Sequence, residues 1–85
     1  MRIIIKYSVN DDLYAHSLSR ALVKDEKITV IKLPNKLLIY GEPEDILNKT
    51  YLVVSRNPIA QHLVHQLISS SDVFANTSAT ITILN

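Results

Sequence analysis

Cysteine is absent from this chain of 85 residues, which excludes disulfides, thiolate metal sites and thiol nucleophiles together. Glycine occurs once, at Gly41. A phosphate-cradling loop needs glycines for close backbone approach, so none can be built here. Tryptophan is missing, and the aromatics are four tyrosines and one phenylalanine. They interleave with basic residues only loosely, around Tyr40 and Lys36, which is thin material for a stacking platform. No apolar run approaches the roughly 18 residues of a membrane span. The opening Met1 to Lys6 holds three isoleucines, too short a run for a secretion signal, and no small-residue cleavage site follows. There is no repeat, low-complexity tract or linker. The expectation is a cytoplasmic protein with no membrane association.

Nearly half of the residues are apolar, 47%, which supports one small core with a thin stability margin and a single domain over residues 1–85. Formal charge is +1, so the field of the whole molecule exerts no strong pull on nucleic acid. The distribution is less even than the total. Every lysine and arginine lies at or before Arg56, and beyond it the only fully charged residue is Asp72. A basic face on the N-terminal part is compatible with that asymmetry.

Alternation of Ile3, Ile5 and Tyr7 against Arg2, Ile4 and Lys6 predicts a first strand. Ser8 to Asp12 then reads as a helix start, with Asn10 as cap and Asp11 and Asp12 in the first turn, where the helix dipole favours negative charge. That helix is expected to run to about Lys24, with Tyr14, Leu18, Ala21 and Leu22 inward. Lys27 to Leu33 and Lys36 to Tyr40 are β-rich runs joined at Pro34-Asn35, a pair suited to a tight turn and hence to an antiparallel hairpin. Gly41 to Asp45 is an acidic connector, and one helical turn is expected over Glu44 to Asn48. The β-branched and aromatic run from Thr50 to Ser55 predicts a further strand. Asn57 is a favoured cap and Pro58 a favoured first helical residue. The helix from Pro58 to about Ser70 carries Ile59, Ala60, Leu63, Val64, Leu67 and Ile68 on its apolar stripe, leaving Gln61, His62, His65 and Gln66 outside. After an irregular stretch from Val73 to Ser78, Ala79 to Leu84 reads as a final strand.

The predicted fold class is therefore α/β: a two-layer sandwich with a mixed five-stranded sheet and two main helices, in the order βαββ(α)βαβ. The central strands carry apolar residues on both faces, whereas two helices cover only one. A second copy of the chain is the economical cover for the other face.

Site chemistry concentrates at the two predicted strand-to-helix junctions. If the parent strands are parallel, both helix N-termini open at one sheet edge, where free N–H groups and the dipole attract anions. Ser8, Asn10, Ser55 and Asn57 supply polar groups there, and Arg56 a fork for phosphate or carboxylate. Capping alone also accounts for both asparagines. His62 and His65 lie three apart on one helix but lack the third ligand a metal site requires. No cofactor, metal or catalytic constellation is read. The expected function is that of a small non-catalytic regulatory protein, acting through homo-oligomerisation and a protein partner. A phosphorylated ligand, nucleotide or RNA backbone, is expected at Ser55-Arg56-Asn57. Two other classes stay open: a minimal nuclease or hydrolase with a histidine site completed across a dimer interface, and an RNA-binding protein using Lys27, Lys32, Lys36 and Arg56.

Overall fold

The computed structural model describes residues 1–69 and 77–85. The helix end expected at about Ser70 lies outside them, as does most of the irregular stretch expected from Val73 to Ser78. Four strands, β1 (Arg2–Lys6), β2 (Thr29–Leu33), β3 (Lys36–Tyr40) and β4 (Thr80–Leu84), form a sheet in the order β2-β3-β1-β4. Among the described residues there are also three helices, α1 (Asp12–Leu22), α2 (Pro43–Thr50) and α3 (Pro58–Ser69), with 3-10 segments at Val9–Asp11 and Tyr51–Arg56. Among the described residues, no helix is long and apolar enough to cross a membrane.

All three strand pairings are antiparallel, which corrects the expected mixed sheet. The crossover through α1 does carry the chain to a strand running the same way, but β3 folds back as a hairpin into the gap between β1 and β2. The return through α2 and α3 likewise skips one strand and places β4 outside β1. Parallel strands are never neighbours. This is the split β-α-β connectivity of ferredoxin-like sandwiches.

The β2–β3 turn falls at Pro34-Asn35 as read from the sequence, with Leu33 paired to Lys36. Tyr7 ties this turn to the end of β1: its backbone N–H donates to the Asn35 carbonyl at 3.1 Å, and its hydroxyl donates to the Leu33 carbonyl at 2.8 Å.

The expected fifth strand does not form. Thr50 ends α2, its hydroxyl donating to the Ile46 carbonyl one turn back at 2.7 Å, and Tyr51–Arg56 continues as 3-10 helix. A short apolar run without alternation suits a covered strand or a helical segment equally, and helical packing prevails here. Tyr51 and Leu52 are exposed, and Val53 packs against the core from its margin. Asn10 lies within the first 3-10 turn and not at a cap position.

One apolar layer joins sheet and helices. Ile3 pairs with Ile39 and Ile5 with Leu37 across β1 and β3, and all four are fully buried beneath Ala15, Leu18 and Leu22 of α1, Ile46 of α2, and Ile59, Ala60 and Leu63 of α3. Tyr14, expected inward, is instead partly exposed, and Ala15 occupies the buried position. Each helix touches the other two, so α3 is enclosed on two sides. His62 is therefore buried, against expectation, while Ile68 near the helix end is exposed.

On the edge strand β2, Lys32 occupies a core-side position opposite Leu37. Its ammonium donates to Asp12 Oδ1 at 2.6 Å and lies 6.0 Å from the centroid of the Tyr7 ring. The hydrogen bond to Asp12 holds the Lys32 pKa above the ordinary 10.5; Tyr7 acts in the same direction and partial burial opposes both. Because the folded value is raised, the stabilisation is in full force below pH 10.5 and is lost as pH climbs through the raised value. Thermal unfolding followed from about pH 9 to about pH 11 is expected to show that alkaline loss reduced in Lys32→Met relative to the unmodified protein.

Candidate functional site

The two junctions expected at one sheet edge are not equivalent, because the second follows a helix. Asn57 is 2% exposed. Its Oδ1 accepts from the Ala60 N–H at 3.0 Å, the N-cap geometry that satisfies an orphan donor of α3. Its Nδ2 donates to the Tyr14 carbonyl at 2.8 Å. One side chain thus starts α3 and fastens it to α1. Ser55 and Arg56 are exposed just before it, and the neighbouring Val54 carbonyl accepts from Gln61 Nε2 at 2.8 Å.

Ser8 is placed differently. It lines a depression of about 460 Å³ together with Lys6, Tyr7, Asn35, Lys36, Ser78 and Thr80. Asn10 follows two residues later, exposed, within the 3-10 turn. The depression lies at the end of the sheet where β1 leaves, β4 enters and the β2–β3 hairpin turns. Lys6 pairs directly with Lys36 on one side and with Thr80 on the other. Two lysines directly opposite each other on antiparallel strands, with Cβ atoms about 5 Å apart, repel. Among the described residues, neither makes an ion pair and none lends a carboxylate to the depression. The serine and threonine hydroxyls and the Asn35 amide add neutral donors.

Three residues that line this depression, Lys6, Lys36 and Thr80, belong to the sheet face opposite the described helices. Strand alternation places there Thr29, Ile31 and Leu33 of β2, Lys36, Leu38 and Tyr40 of β3, Arg2, Ile4 and Lys6 of β1, and Thr80, Thr82 and Leu84 of β4. In register they form three rows. The middle row, Ile31, Leu38, Ile4 and Thr82, is mostly aliphatic. The flanking rows hold Lys36 and Lys6 at one end, Tyr40 and Arg2 at the other. Ile4 and Leu38 are half-buried although no helix covers them. The flanking rows hold lysine and arginine, residue types whose long stems cover apolar neighbours while the charged heads stay in water. Among the described residues, the strand positions of this face therefore hold three cations and no carboxylate.

Other clusters do not assemble chemistry. Among the described residues, no group of three His, Asp or Glu side chains could hold a metal ion. Ser69 Oγ lies 3.4 Å from His65 Nδ1, but its hydroxyl donates to the His65 carbonyl at 2.8 Å. The proton that a nucleophilic serine would pass to imidazole is thus directed at the backbone. The acidic connector is the start of α2, with Pro43 at its first position and Glu44 and Asp45 in its first turn.

The Lys6–Lys36 pair escaped sequence reading because the two residues are 30 positions apart and only the strand register sets them side by side. A usable signal was present: Lys6 and Lys36 both flank apolar strand runs at positions of outward parity.

No family model, no curated protein and no solved structure matches this chain.

Replacing Asn57 by alanine removes the cap of α3 and its side-chain tether to the Tyr14 carbonyl of α1. The expected loss is about 2–3 kcal/mol of unfolding free energy in a urea titration. Arg56→Ala, at an exposed position, is expected to change stability by no more than about 0.5 kcal/mol.

Proposed function

We propose that this protein is a non-catalytic binding module that holds single-stranded nucleic acid, with RNA the expected polymer, on the helix-free face of its sheet. The observation that carries the reading is the charge of that face: Arg2, Lys6 and Lys36, with no carboxylate among the described strand residues there, two of the three in direct cross-strand opposition. A fold tolerates that repulsion more readily when an anion neutralises it. In this reading a backbone phosphate sits in the depression between Lys6 and Lys36. The hydroxyls of Ser8, Ser78 and Thr80 donate around it. Bases lie across the aliphatic middle row towards Tyr40, which has Arg2 as its register partner. The phosphorylated ligand expected from the sequence thus moves from Ser55-Arg56-Asn57 to the open end of β1 and β3, where Ser8 remains part of the site.

The same charge argues against stacking this face on its own copy. Two such faces pressed together would bring six cations into one interface with no acid among the described strand residues to balance them.

Fluorescence anisotropy of labelled single-stranded RNA is the direct test. Binding is expected at low salt, weakening with a log–log slope of about −2 if all three cations meet phosphates, at about 0.7 per contact on single strands. The double variant Lys6→Ala, Lys36→Ala is expected to lose affinity by about tenfold or more, roughly 1.4 kcal/mol. Tyr40→Ala is expected to lose about 1–3 kcal/mol of stacking. A flat salt response, or competition by polyaspartate as effective as by RNA, would replace nucleic acid with a neutral or an acidic protein partner.

A further inference from the structure

The two edges of the sheet are built differently. β2 carries a device that deters pairing with other strands: an inward-pointing charge, Lys32, held by Asp12, with Pro34 immediately after the strand. β4 carries neither. Its sequence Thr-Ile-Thr-Ile-Leu has no charge and no proline, its register with β1 is continuous without a bulge, and among the described residues no strand lies beyond it. Its core-side residues Ile81 and Ile83 are half-buried, whereas their neighbours Ile3, Ile5, Leu37 and Ile39 on the inner strands are completely covered. The apolar layer therefore reaches the β4 edge still partly open.

We infer that β4 pairs with β4 of a second copy, antiparallel about a two-fold axis at Thr82, joining two four-stranded sheets into one of eight. The strand is self-complementary in that register. Thr82 meets Thr82 of the second copy on the helix-free face. Ile81 meets Ile83 of the second copy on the core side, twice by symmetry, and so covers the part of the layer that each copy leaves open. Thr80 meets Leu84 of the second copy. The joint is neutral, so no charge opposes it, in contrast to the cationic sheet face. Charge thus selects edge pairing over face stacking as the mode of self-association. The joint is also short. Five residue pairs bury less than the roughly 1,200–2,000 Å² of a stable interface, so the dimer is a reversible one.

The two-fold axis stands normal to the sheet, which puts both helical layers on one side and both cationic faces on the other. The homo-oligomer expected from the sequence is retained, with its interface moved from the sheet face to the sheet edge. Where the nucleic-acid reading holds, a strand long enough to cross both copies gains avidity. The dimer itself does not depend on that reading, and its test contains no nucleic acid.

Sedimentation velocity of the unmodified protein from about 1 μM to about 1 mM is expected to show a monomer–dimer equilibrium within that range. Thr82 is exposed, so Thr82→Lys is expected to fold and to weaken dimerisation by about tenfold or more, by setting two ammonium groups opposite each other. Because the chain has no cysteine of its own, single thiols report register. Thr82→Cys is expected to form a disulfide dimer under mild oxidation, since directly opposed residues have Cα atoms about 4.5–5.5 Å apart. Thr80→Cys, opposite Leu84 of the second copy, is expected to crosslink far less. A monomer at every concentration overturns the inference. So does equal crosslinking at both positions, or a dimer that survives Thr82→Lys and is dissolved by Leu38→Asp on the sheet face.

Discussion

Strand alternation on β1 and β3 is the constraint from which the other features follow. Burying Ile3 and Ile5 against Ile39 and Leu37 turns Arg2, Ile4 and Lys6 to the opposite face of β1. The same pairing turns Lys36, Leu38 and Tyr40 to the opposite face of β3. Since the side-chain period is two, slipping the register by one residue would drive lysines into the apolar layer, so the arrangement is strongly held. The cationic pair of the candidate site is thus a consequence of core packing. The core selects which residues face in, and the two lysines meet because their inward neighbours do.

Helices on a single side leave a second sheet face to be accounted for. The common expectation for strands apolar on both faces is cover by protein on both. Here the outward aliphatic row is narrow, and it is flanked by lysine, arginine and tyrosine, residue types that pair an apolar stem with a polar end. That composition meets the solvent without demanding a stacked partner, and it leaves a positive field over an apolar strip. A nucleic acid offers the matching chemistry, with phosphates outside and base faces within. The open edge at β4 is a separate matter: it offers backbone, exposed threonines and half-buried isoleucines, and these match another strand better than they match a polyanion.

Local patterns were legible where one element depended only on its own residues. The first strand, the hairpin at Pro34-Asn35, the start of α3 at Asn57-Pro58 and the last strand all follow from alternation, turn chemistry and capping within a few positions. The run from Thr50 to Ser55 misled because β-branched residues favour strands only when a sheet has room to receive them. Here α2 extends to Thr50, and the chain remains helical on its way to α3. The inward stripe of α3 was read in part. A helix touching the sheet on one side and α1 and α2 on another buries a wider arc than a two-layer pattern implies, which brings His62 inside.

Composition and short-range pattern by themselves determined that this is an α/β chain without disulfides, thiolate metal sites or a glycine-rich phosphate loop, and where most of its elements begin. Only the tertiary structure decided strand order, and with it which lysines stand side by side, which edge is guarded and which is open. The reason is physical. Helix starts and tight turns depend on interactions within a few residues, whereas the neighbour of a β-strand is chosen by long-range burial. Residues 30 positions apart become partners only once the hairpin has slipped between β1 and β2.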